Sequence, residues 1–272
     1  MKKLLRSYQV LIGLTVLIVF VIVAVFAPLL APHDPLAIDV TNRFASPFET
    51  AEHPLGTDNL GRDTMSRLIH GARISLTIGI VSTIAGVIVG VMIGLVSGYY
   101  GGMVDTLIMR VTDILLAFPG MLLALVIVAI LGASTTNVII AVTIFAVPGF
   151  ARIVRASVLE TKKLEFVDAI RALGASDVRI MFVHILPNVT TPIIIQATLY
   201  VASAIVTAAA LSFLGVGTQA PTPEWGSMLN SGREFMTRAP HMIMLPGLMI
   251  LLIVISINLI GDGLRDTLEP KK

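Results

Sequence analysis

Hydrophobic positions along the chain gather into long runs at about 10–30, 74–97, 107–131, 136–151, 190–216 and 242–261, separated by stretches rich in Pro, Gly and charge. A helix needs roughly 20 mostly apolar residues to cross the hydrocarbon core of a bilayer. The pattern therefore predicts an all-α transmembrane protein of six spans. The run 136–151 is short, and 107–131 contains Pro119 and Gly120, which interrupt regular helix. These two runs define their boundaries least sharply.

Composition points the same way. Hydrophobic residues make up 56% of the 272 and charged residues only 13%, about half the charged share of a soluble domain, and mean hydropathy is +0.92. Membrane lipid is the expected surrounding. Net charge is +2, and the 19 Lys and Arg stand in short clusters without the basic stripe that nucleic acid requires. The absence of Cys removes a disulfide framework, a thiolate metal site and a cysteine nucleophile.

Charge distribution gives the topology. Lys2, Lys3 and Arg6 precede the first run, which is longer than the apolar region of a signal peptide, and Pro28 after Ala27 obstructs cleavage, so an uncleaved anchor is expected. With the N-terminus inside, the inner segments carry those three with Arg110, Arg152, Arg155, Lys162, Lys163, Arg171, Arg179, Arg265, Lys271 and Lys272. The outer ones carry only Arg43, Arg62, Arg67, Arg73, Arg233 and Arg238. That bias places both termini in the cytoplasm. Three polar segments result: an outer loop at 31–73, an inner loop at 152–189 and a second outer loop at 217–241.

Ser82, Gly86, Gly90, Gly94 and Gly98 put a small residue at every fourth position of the second span. Such a stripe permits close helix packing; the alternative is a face that slides or lines a pathway. Apart from Arg110 and Asp113, which at i and i+3 are placed to pair with each other, the spans lack ionisable groups well inside, so the relays of a proton or sodium pump are missing. No Lys follows a GxxxxG phosphate loop, and neither HExxH nor GxSxG occurs, so the chain is expected not to be an enzyme. His33, His53, His70, His184 and His241 fall in loops or at span ends, leaving Ser134 and Ser212 without an intramembrane base. A transport role with partners is the default.

The inner loop reads as two short helices. One contains Glu165 to Leu173 and ends at Gly174, which suits a left-handed cap; Ser176 then caps a second, Asp177 to Ile185, before Pro187. In this loop Asp168-Ala169-Ile170, three further residues and Gly174, with Leu186-Pro187 beyond, resemble the EAA motif of ABC importer permeases. Asp168 stands for Glu, Ile170 for the second Ala, and His184 where the motif has Ile.

The resemblance continues through Leu55-Gly56-Thr57-Asp58, Gly61-Arg62-Asp63, Ser66-Arg67, Gly71-Ala72-Arg73, Met109-Arg110 to Asp113, Ala117-Phe118-Pro119, Ser212-Phe213-Leu214-Gly215, PTPEWG at Pro221 to Gly226, and Gly261-Asp262-Gly263-Leu264-Arg265-Asp266. Together these are similar to the C-type permease of the dipeptide, oligopeptide and nickel importer family. The resemblance implies an anchor helix and external loop over 1–73, a permease domain over 74–262 and a cytoplasmic tail over 263–272. It implies a bacterial inner-membrane protein paired with a homologous permease subunit, two ATP-binding subunits and an extracytoplasmic solute-binding protein. ATP and magnesium belong to the partner subunits, and no cofactor or metal to this chain.

By the same resemblance the inner loop is a coupling helix docked on the ATPase through Asp168, Ala169 and Gly174, with Glu165 and Arg171 flanking and Leu186-Pro187 closing the motif. Import of di- or oligopeptides is the expected function; a nickel or metal-chelate importer is the alternative within transport, and a non-transporting membrane scaffold the alternative outside it. In the second outer loop Trp225, Met228, Leu229, Gly232, Phe235 and Met236 recur at helical spacing, with Asn230, Arg233 and Glu234 opposite. An amphipathic helix over 224–237 follows, with Trp225 as interfacial anchor, or with Trp225, Met228 and Phe235 closing an outer gate or contacting a solute-binding protein.

Overall fold

The computed structural model describes residues 7–268; the expectations resting on Lys2, Lys3, Arg6, Lys271 and Lys272 lie outside them. The main helices are α1 (Tyr8–Val25), α2 (Ala27–Leu30), α3 (Thr64–Tyr100), α4 (Gly102–Ala117), α5 (Gly120–Leu131), α6 (Thr135–Thr161), α7 (Glu165–Ala172), α8 (Asp177–Arg179), α9 (Thr190–Phe213), α10 (Trp225–Gly232) and α11 (His241–Leu268). Among the described residues there is no strand, only one isolated bridge, Thr57 to Asp63.

The small-residue stripe is a packing surface. A Cβ added at Gly86 would lie 2.5 Å from the Cβ of Ala146, at Gly90 2.5 Å from that of Phe150, at Gly94 2.8 Å from that of Val154, and at Gly98 2.8 Å from that of Val158. Both rows advance by four residues and in the same direction, so α3 and α6 run parallel with interlocked i±4 ridges. Ser82 adds a hydrogen bond from its hydroxyl to the Ile139 carbonyl (3.3 Å).

A parallel pair forces the chain between them to return across the layer. That return is α4 and α5, which meet at a 91° bend. The run 107–131 is therefore a broken crossing and not one straight helix. Phe118 is extended (φ −82°, ψ 136°) ahead of Pro119, as a residue before proline prefers, and the Pro119 carbonyl then accepts from Leu122 and Leu123 to start α5. With the return counted, the crossings number six among the described residues.

Three helices outrun their apolar patterns. Asp63 caps α3 by accepting from the Ser66 amide (2.7 Å), α6 continues to Thr161, and α11 continues to Leu268. Hydropathy marks only the lipid-facing stretch of a helix, whereas caps and packing fix its ends. The divisions expected at 73/74 and 262/263 accordingly fall inside continuous helices. The anchor α1 is part of the bundle: it lies antiparallel on α11, with Gly13 opposite Ser256 and Val10 opposite Gly263, and the Ser256 hydroxyl donates to the Gly13 carbonyl (2.5 Å).

The 31–63 connection is folded onto one end of the bundle. The Thr57 amide donates to the Ala45 carbonyl (3.1 Å), its own carbonyl meets His241 Nε2 (3.0 Å), and Asp58 takes Arg62 (2.7 Å) with Arg67 beyond it (3.5 Å). The predicted 224–237 helix is present as α10 with a short 3-10 turn, Arg233–Phe235. Trp225, however, is fully buried. It packs edge-on against Phe20 (5.7 Å between centroids) and donates from Nε1 to the Leu68 carbonyl (3.1 Å). The interfacial-anchor expectation for Trp225 is thus corrected: its indole finds both an apolar slot and a hydrogen-bond acceptor inside the bundle.

The stripe yields a stability test. Gly94→Val would set a Cβ 2.5 Å from the Ala151 carbonyl oxygen, a backbone atom that cannot swing away, and should destabilise the purified chain by about 1–3 kcal/mol. Gly149→Ala, with nothing within 4 Å of the added Cβ, should be neutral or stabilising by up to ~1 kcal/mol. Thermal unfolding in detergent compares the two; equal melting points would refute the packing role of the stripe.

Candidate functional site

Where α3 and α6 end, polar groups clamp the chain before it enters the loop. Gly101 and Gly102 take positive φ values of 69° and 55°, turning the chain sharply from α3 into α4, as glycine allows. Lys162 Nζ donates to the carbonyls of Gly98 (2.9 Å) and Tyr99 (3.0 Å), serving the end of α3 that lacks helical donors. Asp105, in the first turn of α4, accepts two hydrogen bonds from Arg155 of α6 (2.5 and 2.6 Å) and one from Ser97 of α3 (2.5 Å). The bidentate pair joins α4 to α6, and the Ser97 bond adds α3 at the same carboxylate. Farther along α4, Asp113 pairs with Arg152 of α6 (2.8 Å) and not with Arg110, so that expected intrahelical pair is corrected to an interhelical one.

The loop itself is held by one apolar face. Val167 of α7 is fully buried among Leu95, Tyr99, Val154, Val158, Ile180, Met181 and Ile185, with Ile170, Ala175 and Leu186 partly buried against them. Gly174 has φ +82°, its amide donates to the Arg171 carbonyl (3.0 Å), and the Ala175 amide donates to the Ile170 carbonyl (3.3 Å), so α7 ends with a left-handed glycine. Asp177 accepts from the Tyr99 hydroxyl (2.6 Å), and the Arg171 guanidinium stands 6.0 Å from the Tyr99 ring centre while pairing with Asp168 (3.3 Å).

Beyond α8 the helix widens into a π turn, Ile180–Ile185, followed by a 3-10 turn, Leu186–Val189. Pro187 offers no amide to the preceding turn, which accounts for the change of helical register there. The second predicted helix, Asp177 to Ile185, is thus helical throughout but π in its latter part.

The structure brings Glu165, Asp168, Ala169, Arg171 and Gly174 together on the exposed side of this loop, with Pro187 exposed and Leu186 half-buried. Leu173 (87%) and Val178 (61%) are exposed as well. Those two apolar residues, the Val167 anchor and Tyr99 were missed by sequence reading. For Leu173 a signal existed: it sits beside the cap glycine of an amphipathic helix yet outside its apolar face.

At the opposite end Trp225, Met228 and Phe235 do not form one group. Trp225 and Met228 lie in the core with Phe20, Leu68 and Ile253, whereas Phe235 is half-buried on Phe44 (5.0 Å). Glu224 is 1% exposed and caps α10, accepting from the Gly226 and Ser227 amides (both 2.8 Å) and from the Ser75 hydroxyl (3.3 Å). Burial pushes its carboxyl above the usual glutamate range, against the pull of the Gly226 and Ser227 amides.

The sequence and the fold have counterparts among known proteins. Residues 90–272 match the model of the binding-protein-dependent transport system inner membrane component, and residues 1–47 match that of the N-terminal transmembrane domain of oligopeptide transport permease C. A dipeptide transport system permease protein of Alkalihalophilus pseudofirmus is 47% identical over 270 residues, 99% of this chain and 88% of that protein. A glutathione transport system permease protein of Escherichia coli is 46% identical over 271 residues, 99% and 89% of the two chains. In fold, the chain is similar to an inward-facing structure of the MetNI methionine ABC transporter, with a TM-score of 0.61 and 20% identity over 75% of this chain and 97% of the other.

Glu224 gives a pH test. A carboxyl raised on folding contributes stability that is complete below the ordinary glutamate range, near 4.5, and is lost as pH rises through the raised value. Glu224→Gln has no such proton. Between about pH 4 and pH 8, wild-type melting temperature should therefore fall relative to that of the variant; parallel curves would show that the carboxyl is not strained by burial.

Proposed function

Because the chain belongs to the family of binding-protein-dependent transport system inner membrane components, we propose that it works as one permease subunit of an ATP-driven importer of small peptides. The carrying observation is identity of 46–47% over 99% of this chain with permeases named for dipeptide and glutathione transport, glutathione being itself a tripeptide. The chain acts with a related permease to form the pathway, two ATPase subunits that bind ATP and magnesium, and an extracytoplasmic solute-binding protein. It resides in a bacterial inner membrane with both termini inside, so that α7 faces the cytoplasm and the 31–63 and 214–240 segments face out.

In this reading the α7 loop transmits ATPase closure. A coupling element must be rigid on the membrane side and open on the motor side. Val167 and the Tyr99–Asp177 bond supply the first property. The exposed Glu165, Asp168, Ala169, Arg171, Gly174 and Leu173 supply the second. The buried end of the loop touches α3, α6 and the π turn leading into α9, so a push on α7 reaches three crossings at once. Solute then passes by alternating access between the two permeases, and this chain carries out no hydrolysis of its own.

Two experiments test the reading. Gly174 needs its φ of +82°, and an added Cβ meets nothing within 4 Å, so Gly174→Val should cost about 1–3 kcal/mol of backbone strain and re-aim α7 without disturbing the bundle. Subunits should still co-purify, while substrate-stimulated ATPase activity and peptide uptake in vesicles should drop sharply; retention of both activities would refute coupling through this loop. For topology, Ser46→Cys in the naturally thiol-free chain should react with an impermeant maleimide on intact spheroplasts. Reaction only after lysis would invert the orientation.

A further inference from the structure

The geometry points to a zinc-type divalent-cation site formed by His33, His53 and Asp63, at the end of the bundle opposite α7. The three residues come from separate segments: the stretch after α2, the turn at 50–56, and the cap of α3. Their donor atoms lie within 4.8 Å of one another. His53 is 7% and Asp63 2% exposed, whereas His33 is half-buried at the rim. The two imidazole rings lie 4.8 Å apart between centres, tilted by 45°, and His53 Nδ1 stands 3.0 Å from Asp63 Oδ1.

Two imidazoles and one carboxylate, with a fourth position for water, form a donor set suited to zinc. Bonds of about 2.0–2.1 Å place tetrahedral donors roughly 3.3–3.5 Å apart. The His53–Asp63 pair, at 3.0 Å, has to open by only a few tenths of an ångström to reach that spacing, and His33, at the rim, has to close the remainder. The outer shell is built as well. The Ser66 amide holds the second oxygen of Asp63 (2.7 Å), leaving Oδ1 turned to the imidazoles, and the Ser66 hydroxyl holds the backbone amide of His33 (3.0 Å). Supports of this kind orient ligands before an ion arrives. The contact that must yield is His33 Nε2 with the Glu52 carbonyl (2.8 Å), or the ring's other nitrogen serves instead. A bound ion would take the place of the His53–Asp63 contact and tie the segment after the anchor helix to the first turn of α3. The inference does not depend on what the protein transports.

The test uses the full chain co-purified with its partner subunits, stripped with EDTA, returned to metal-free buffer and titrated with zinc chloride against a chromophoric chelator, with Co²⁺ in a parallel sample. His33→Gln removes one ligand but leaves the His53–Asp63 bond and the helix cap; His70→Gln controls for histidine outside the cluster. Wild type and His70→Gln should hold about one equivalent of zinc more than His33→Gln, and only they should show the intense visible bands of four-coordinate cobalt. Should His33→Gln fail to assemble, Asp63→Asn keeps a capping side chain and supplies the same comparison. Equal zinc content in wild type and the ligand variant, or cobalt spectra of the six-coordinate aquo type throughout, would overturn the site.

Discussion

The close parallel contact of α3 with α6 governs the rest of the molecule. Lipid chains are as apolar as leucine side chains, so helices in a bilayer gain little from hiding apolar surface and must gain from fit. Here the fit comes from missing side chains: at Gly86, Gly90, Gly94 and Gly98 even a single added carbon would fall 2.5–2.8 Å from α6 atoms. Because the two helices are parallel, the intervening chain has to recross the layer, and the bend at Phe118–Pro119 is where it does so. The same parallel pair brings the ends of α3 and α6 side by side, which is where Asp105, Arg155, Lys162 and then α7 are placed.

The two ends of the bundle are built on different physics. At the α7 end, ion pairs and hydrogen bonds hold helix termini while one apolar face, with Val167 as the buried residue of α7 and Ile180, Met181 and Ile185 beside it, seats the loop. At the other end, Trp225, Glu224, Asp58, Asp63 and Arg67 are buried, and their polar atoms are matched to amides, carbonyls and each other. Buried polar groups so matched specify one arrangement, since losing a partner leaves an unsatisfied group inside. That end is correspondingly rigid, with α10 locked to α3 and α9 by an indole and a carboxyl.

An asymmetric bundle of this kind suits a protein that must respond to force at one face. A contiguous apolar cluster joins Val167 of α7 to α3, α6 and, at Ile193, α9; this is the route that the proposed coupling would use, and the π and 3-10 turns ahead of α9 interrupt the helix along it. The opposite end, tied by long-range polar contacts, resists distortion and keeps the helices in register.

Sequence alone determined the helical class, the membrane setting, the approximate runs, the small-residue packing stripe and the glycine cap of α7, because each depends on local chemistry: apolar content, periodicity and a backbone angle that glycine favours. The residues from Glu165 to Pro187 stood out through their resemblance to a contiguous motif, and their coupling role remains the proposal made above. Tertiary structure decided what depends on partners far along the chain. It showed that Trp225 is core and not surface, since Phe20 and the Leu68 carbonyl, which hold it, are more than 150 residues away. It moved the partner of Asp113 from Arg110 to Arg152, turned one apolar run into a bent crossing, and drew His33, His53 and Asp63 into a single cluster. Hydropathy and spacing carry no information about such encounters, because a long-range contact is fixed by how whole helices pack and not by the residues on either side of it.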